Sequence, residues 1–432
     1  MTEIQMLKSI FGHASELPRG DARAAYLDSA CGGNAHLRQH VERMLVALDS
    51  DNRMLEPRTL VEAAAAIETT RQTVHCDLPS PFQPGSVIAD QFELTELLGE
   101  GGMGTVWKAR QCEPVNRLVA IKFVKASGPS RGTRQVIERF DRERQVLATL
   151  DHPHIARIIE GGQTASGNPF VVMELVDGVP LTDFIRSRSL DLRQRLIVFS
   201  DICDAICHAH QKGIIHRDLK PSNILVTERD GDHVPKIIDF GLAKWLASEA
   251  KAQGARDIVS ANLIVGTPLY MPPERILAQH GEADVRDDVY SLGVLLFEML
   301  TGSTPVEARQ LNGLTWEQIS QLICDSNPVA PSERIAVHLA RPPLMDAKTA
   351  SKHKNSGDSS LQPISEEQVR GELDWITQKA MAPVPDHRYD SVDALASDIA
   401  AFLNGEPVIA APPSRLYQIR KLLRKFRLAI IA

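Results

Sequence analysis

Apolar positions change their period several times along the chain. In the first stretch Leu37, Val41, Met44, Leu45 and Leu48 recur every three or four residues, the spacing of one face of a helix. "CGGN" at 31–34 interrupts the helical run "DARAAYLDSA" that precedes it. Residues 1–74 are therefore predicted to form a small helical module. "DLPSPFQPGS" at 77–86 gathers three prolines with glycine and serine, which predicts a linker over 75–88.

From Phe92 the pattern shortens to "FELTELL", "TVWKAR" and "RLVAIKFV", β-branched and aromatic runs separated by turn residues. These read as strands. "VIERFDRERQVLATL" then returns to a helical period, "FVVMEL" is an apolar strand, and long helices are predicted to dominate from Leu192 onward. The expected fold class is α+β: an antiparallel strand-rich lobe over about 89–175, then a larger helical lobe over about 176–405, with a basic tail at 406–432. Leu246–Leu263 and about 336–366 offer no continuous apolar face and are predicted to be surface loops. No internal repeat is visible.

Composition narrows the picture only slightly. With 432 residues and a formal net charge of -7, the chain has no overall positive field to recruit nucleic acid, and anion binding must come from local clusters. Its six cysteines are scattered rather than framing a small domain, which favours reduced thiols and a cytoplasmic setting. Cys203, Cys207, His208 and His210 could suggest a metal site, but Cys203 and Cys207 fall in register with Leu196, Phe199 and Ile206, so core packing is the expectation. "MTEIQMLKSIFGH" is mixed and polar and does not read as a secretory signal.

Three stretches carry candidate chemistry. "LLGEGGMGTVW" has Gly99, Gly101 and Gly104 between two strands, where a backbone without Cβ atoms can close over a polyanion. A dinucleotide fingerprint would run on into a helix, whereas Thr105, Val106 and Trp107 continue as strand. Next comes "VAIK", where Lys122 stands between Ile121 and Phe123 and needs an anionic partner. Glu143 is preferred for its helical position, with Glu138 and Asp141 as competitors. "IHRDLKPSN", at 215–223, has the acid and amide of a metal and phosphate site, though Asp, Asn, Ser and Pro also suit a plain turn.

Together with "DFG" at 239–241, "GTPLYMPPE" at 266–274, "DVYSLG" at 288–293 and Arg388 in "DHRY", these stretches resemble the motif series of a eukaryotic-type protein kinase, specifically the serine/threonine kinases of bacteria. The resemblance runs from about Phe92 to Leu403 and implies a bilobal kinase fold, ATP with Mg2+ (Mn2+ as a substitute), and protein Ser/Thr acceptors. It implies that Asp218 is the catalytic base, that Lys220 and Lys122 face phosphate, and that Asn223 and Asp239 ligate metal. Leu98, Gly99, Gly101, Gly104, Val106 and Ala120 would line the nucleotide site, Met173 its back, and Glu174 and Val176 the hinge. Asp183 would approach the ribose, or serve only as a carboxylate at a helix N-terminus. His216 and Arg217 would hold the loop, Asp288 brace it, Glu274 and Arg388 form a buried ion pair, and Thr267 shape the docking segment. Pro272 departs from the family, which usually has Ala or Ser there.

Regulation is expected at Ser260 ahead of Ser248 as candidate phosphosites pairing with Arg217, with a homodimer for autophosphorylation. The tail carries Arg415, Arg420, Lys421, Arg424, Lys425 and Arg427 before an apolar "LAIIA", a pattern expected of the inner flank of a membrane tether whose helix would lie beyond this sequence. Two alternatives stand against an active kinase. A nucleotide-binding scaffold without catalysis is opposed by the presence of Lys122, Asp218, Asn223 and Asp239, and a small-molecule phosphotransferase by "DLKPSN", "GTPLYMPPE" and Arg388.

Overall fold

A computed structural model describes residues 82–101, 104–124, 145–164, 167–240, 268–277, 284–311, 313–325, 329–340 and 364–414, with Arg23, Tyr26, Leu27, Ala30, Arg38, Tyr417 and Lys421 in addition. The chain divides into two compact units, Met1–Pro81 and Phe82–Ala432. In the first, the five described residues are all helical and Leu27 is buried.

The second unit opens with a six-stranded antiparallel sheet: β1 (Val87–Ile88), β2 (Phe92–Gly101), β3 (Gly104–Gln111), β4 (Arg117–Val124), β5 (Ile158–Gln163) and β6 (Pro169–Glu174), in the order β1-β2-β3-β4-β6-β5. Alternation along the strands decides what each face does. Trp107, Val119, Ile121, Phe123, Phe170 and Val172 cluster on one face as an apolar core. On the other face the register sets Val106 opposite Lys122, Lys122 opposite Val171, and Ala120 opposite Met173. Residues 82–88, expected in the linker, fold onto this sheet: Phe82 stacks on Phe123 at 4.0 Å and the Gly85 N–H donates to the Leu94 carbonyl at 2.7 Å.

The helical lobe contains α1 (Leu181–Arg188), α2 (Leu192–Gln211), α3 (Pro273–Ile276), α4 (Val285–Thr301), α5 (Trp316–Asp325), α6 (Pro331–Ala340), α7 (Glu366–Val369), α8 (Glu372–Ala380) and α9 (Val392–Leu403). Helix α2 starts with a capping box: Asp191 accepts from the Gln194 N–H at 2.8 Å while the Gln194 side chain accepts from the Asp191 N–H at 2.9 Å. Its inward stripe, Leu196, Phe199, Cys203 and Ile206, is buried, which accounts for Cys203 as a packing residue. Helix α4 is buried over nearly its whole length. At Gly293 a Cβ would stand 2.8 Å from the Ala380 Cβ, so α4 and α8 approach as closely as glycine permits. Among the described residues no helix is long and apolar enough to cross a membrane.

Three further features were not expected. A second sheet, β7 (Val179–Pro180), β8 (Ile224–Arg229) and β9 (Asp232–Ile237), lies in the region predicted to be helical. Helix α6 continues to Ala340, so the predicted loop at 336–366 begins as helix. The start of the predicted tail is packed: buried Asp398 accepts from the Ile409 N–H at 2.6 Å and the Ala410 N–H at 2.8 Å. Further on, Glu372 receives Tyr417 Oη at 2.7 Å and Lys421 Nζ at 2.8 Å.

Candidate active site

The β8–β9 hairpin builds the centre of the site. Antiparallel pairing sets Ile224 opposite Ile237, and the Ile238 N–H donates to the Asn223 carbonyl at 2.9 Å. Residues just before β8 and just after β9 are thereby brought together, which places the segments of Asp218, Asn223 and Asp239 at one end of the hairpin. Asn223 closes a short turn of 3₁₀ helix, and its Nδ2 donates to the Asp218 carbonyl at 2.8 Å and to Asp218 Oδ2 at 3.2 Å. Lys220 Nζ lies 3.0 Å from the same Oδ2. One carboxylate thus meets an amide and an ammonium within five residues of chain.

Asp288 holds that loop. Fully buried at the start of α4, it accepts the backbone N–H of His216 at 2.8 Å and of Arg217 at 2.9 Å, while His210 Nε2 lies 2.8 Å away. Burial pushes its carboxyl pKa up, but the His210 and His216 bonds and charges outweigh this and hold it below the usual aspartate value. Arg217 has a φ of 64°, a left-handed conformation that side-chain-bearing residues rarely adopt. The bonds to Asp288 keep it there, at a cost of about 1–3 kcal/mol. The buried ring of His216 rests 4.7 Å from the Phe240 ring, and its Nδ1 lies 3.3 Å from the Asp218 nitrogen.

The sheet supplies the opposite wall. Lys122 shares its face with Ala120 and Val106, and its ammonium makes a two-point contact with Asp239, 2.6 Å to Oδ1 and 2.5 Å to Oδ2. Strand β4 and the end of the hairpin are thus joined by a pair of opposite charges, with Lys122 only 7% exposed. Glu143, the expected partner, lies outside the described residues, as do Gly241, Thr267, Ser248 and Ser260.

The three glycines differ. Gly104 has φ 148°, and a Cβ there would fall 1.8 Å from the Phe123 carbonyl oxygen, so the sheet itself demands glycine. At Gly99 and Gly101 a Cβ would meet nothing within 4 Å, which leaves open space beside the β2–β3 turn. Leu98 beside them is half exposed, Ala120 is buried, and Val106, Met173 and Val176 are half-buried. Asp183 sits in the first turn of α1, 3.6 Å from Arg186, as the N-terminal carboxylate alternative has it.

Glu274 and Arg388 meet away from the cleft as a bidentate pair, with both bonds 2.8 Å. The remaining guanidinium donors reach the carbonyls of Ala382, Pro383 and Arg286, and the plane lies 4.9 Å from the Tyr290 ring. Sequence reasoning missed two partners: His210, whose helical spacing suggested only core, and Lys236, whose Nζ lies 2.8 Å from Glu174 Oε2.

The donors suit a hard divalent cation. Asn223 spends its nitrogen on Asp218, which leaves Oδ1, the atom able to ligate metal, on the other branch, and the Asp239 carboxylate keeps lone pairs beyond those facing Lys122.

The protein kinase domain model matches residues 92–362, well over half the chain. Serine/threonine-protein kinase PknB of Mycobacterium tuberculosis is 32% identical over 326 residues, covering 74% of this chain and 44% of that protein. A probable serine/threonine-protein kinase of Clostridium perfringens is 36% identical over 222 residues, covering 51% of this chain and 30% of that protein. Among solved structures, the kinase domain of Mycobacterium tuberculosis PknI is 23% identical, covers 74% of this chain and 98% of its own, and has a TM-score of 0.49. The chain spans less than half the length of the curated relatives it matches. The motif series, the two lobes and the sequence matches agree: the chain belongs to the protein kinase family, among the eukaryotic-like serine/threonine kinases of bacteria.

Proposed function

We propose that the chain transfers the γ-phosphoryl group of Mg-ATP to serine and threonine hydroxyls of proteins. The observation that carries this reading is the convergence of Asp218, Lys220 and Asn223 with the Lys122–Asp239 pair at one end of the β8–β9 hairpin. Phosphoryl transfer asks a protein mainly to position reactants and to neutralise charge, and this set has a group for each demand.

Asp218 orients the acceptor hydroxyl and takes its proton as the new P–O bond forms and the bond to ADP breaks. Lys220, already beside that carboxylate, supplies a point charge to the phosphoryl group in transfer. Lys122 presents its ammonium to the nucleotide's phosphates from β4, under the open space at Gly99 and Gly101. Asn223 Oδ1 and the Asp239 carboxylate would hold Mg2+, or Mn2+ in its place, and the cation would supply positive charge against the phosphates. Backbone groups of Glu174 and Val176 serve the adenine ring at the hinge.

The same reading extends to bacterial signal transduction. Autophosphorylation, in a homodimer, falls on Ser260 ahead of Ser248, and the kinase works in the cytoplasm, held at the inner face of the membrane. Phosphopeptide mapping of active enzyme tests the first point; a wholly unmodified 240–274 segment would remove it. The main experiment is transfer from radiolabelled ATP to a generic basic protein by wild type and Asp218→Asn, with phosphoamino-acid analysis. A rate loss of about 10²–10⁴ in the variant, with phosphoserine and phosphothreonine as products, is expected. Equal incorporation would defeat the role of Asp218, and phosphotyrosine alone would defeat the acceptor class.

A further inference from the structure

Glu174 stands at the end of β6, where the chain leaves the sheet for the helical lobe. Its backbone N–H donates to the Arg157 carbonyl at 2.9 Å. Its carboxylate does something the hinge role does not require: Oε2 lies 2.8 Å from Lys236 Nζ and 3.4 Å from the Arg157 nitrogen. Lys236 is on β9, paired with Leu225, three residues before Asp239. The segment between is stitched to β9 as well, since the Ala156 N–H donates to the Ile237 carbonyl at 2.9 Å and the Ile237 N–H to the His154 carbonyl at 2.8 Å. Three pieces of backbone, 154–157, the end of β6 and the end of β9, therefore meet around one carboxylate. The ion pair is well shielded, with the Lys236 side chain 12% exposed and that of Glu174 34%.

This arrangement joins the two ends of the proposed nucleotide site. The hinge backbone that would read the base lies at one end of the clasp, and three residues beyond the other end is Asp239, at the phosphates. We infer that Lys236 is a positioning residue for the nucleotide: its ammonium pins Glu174 against β9, fixing the spacing between hinge and Asp239 and cancelling a negative charge beside a polyanion's site. The inference rests on the kinase reading above. Without Lys236 the clasp keeps its backbone bonds, so the fold persists, but Glu174 becomes an uncompensated carboxylate that is free to turn. The loss falls on binding shared by ground state and transition state, which raises KM and leaves kcat nearly unchanged.

The test uses the full chain as wild type, Lys236→Met, Lys236→Arg, Glu174→Gln and the Lys236→Met/Glu174→Gln double variant. ATP kinetics against a generic basic protein are measured beside equilibrium binding of a fluorescent ATP analogue, which needs no turnover. Lys236→Met is expected to raise both KM for ATP and Kd for the analogue about tenfold, with kcat within about twofold and the melting temperature nearly unchanged. Lys236→Arg restores binding. In the Glu174→Gln background the Lys236→Met penalty shrinks to under about twofold, because the charge it compensates is gone. The inference is overturned if Lys236→Met binds the analogue as wild type does, if it lowers kcat with KM unchanged, or if its penalty is the same in the Glu174→Gln background. A wild-type chain that binds the analogue and transfers no phosphate removes the kinase reading, while the binding comparison still decides the role of Lys236.

Discussion

The loop around Asp218 and the glycines on strands β2 and β3 are built on opposite plans. The loop is tied down at several points: Asp288 takes two backbone N–H groups, Asn223 bonds back to Asp218, and β8 pairs with β9. On the strands β2 and β3, Gly104 stands against the Phe123 carbonyl, while a Cβ at Gly99 or Gly101 would meet nothing within 4 Å. On the proposed kinase reading, the groups aimed at a reacting atom are held at several points, whereas the glycines beside a large anion keep their room. Rigidity and open space are divided between the lobes.

The contrast is broken most severely at Asp288. Asp288→Ala leaves two backbone N–H groups and His210 without their buried acceptor and removes what holds Arg217 at positive φ. A loss of about 3–5 kcal/mol is expected in chemical denaturation, with phosphoryl transfer abolished. Gly104→Ala comes next, because its Cβ has no place beside the Phe123 carbonyl and its backbone is strained for any L side chain. About 3 kcal/mol should be lost.

Asp287 and Asp288 then separate by pH. Burial first, opposed by Arg275, raises the Asp287 carboxyl from 3.8 to about 6, so the folded chain holds a proton there that the unfolded chain releases. Its contribution therefore falls as pH rises from about 4 through 6, by up to about 2 kcal/mol, and Asp287→Asn should flatten that part of a stability–pH curve. Asp288 has the opposite sign: its depressed pKa gives stability that is present at neutral pH and lost as pH falls through its folded value. The smallest effect on stability is Gly99→Ala, within about 0.5 kcal/mol, since its methyl meets nothing in the chain. A fall in ATP affinity without a fall in melting temperature would mark that space as the nucleotide's.

Much of this was legible from spacing and residue type. The β-rich run "RLVAIKFV" marked a strand and Lys122 within it as a charge needing a partner, and the motif order named the residues that gather around Asp218 and Asp239. The β8–β9 hairpin was not legible, because "ILVTER" and "DHVPKI" are short and follow a polar loop, so neither shows a strand period of its own. Strand β5, "IIEGGQ", has no buried alternation to betray it. His210 and Lys236 escaped for another reason: their partners are 78 and 62 residues away, and only the register of remote elements brings them together. Periodicity reports which face a side chain takes, and long-range ion pairs are decided after that.

The central claim is that Asp239 and Asn223 hold a cation for a nucleotide that Lys122 also contacts. Equilibrium binding of ATP with and without Mg2+, to wild type and to Asp239→Asn, tests it most directly. The account predicts that Mg2+ tightens ATP binding to wild type about tenfold or more and that Asp239→Asn loses this metal-dependent gain while still binding metal-free ATP. An Asp239→Asn variant that keeps the full Mg2+ dependence of wild type would contradict it.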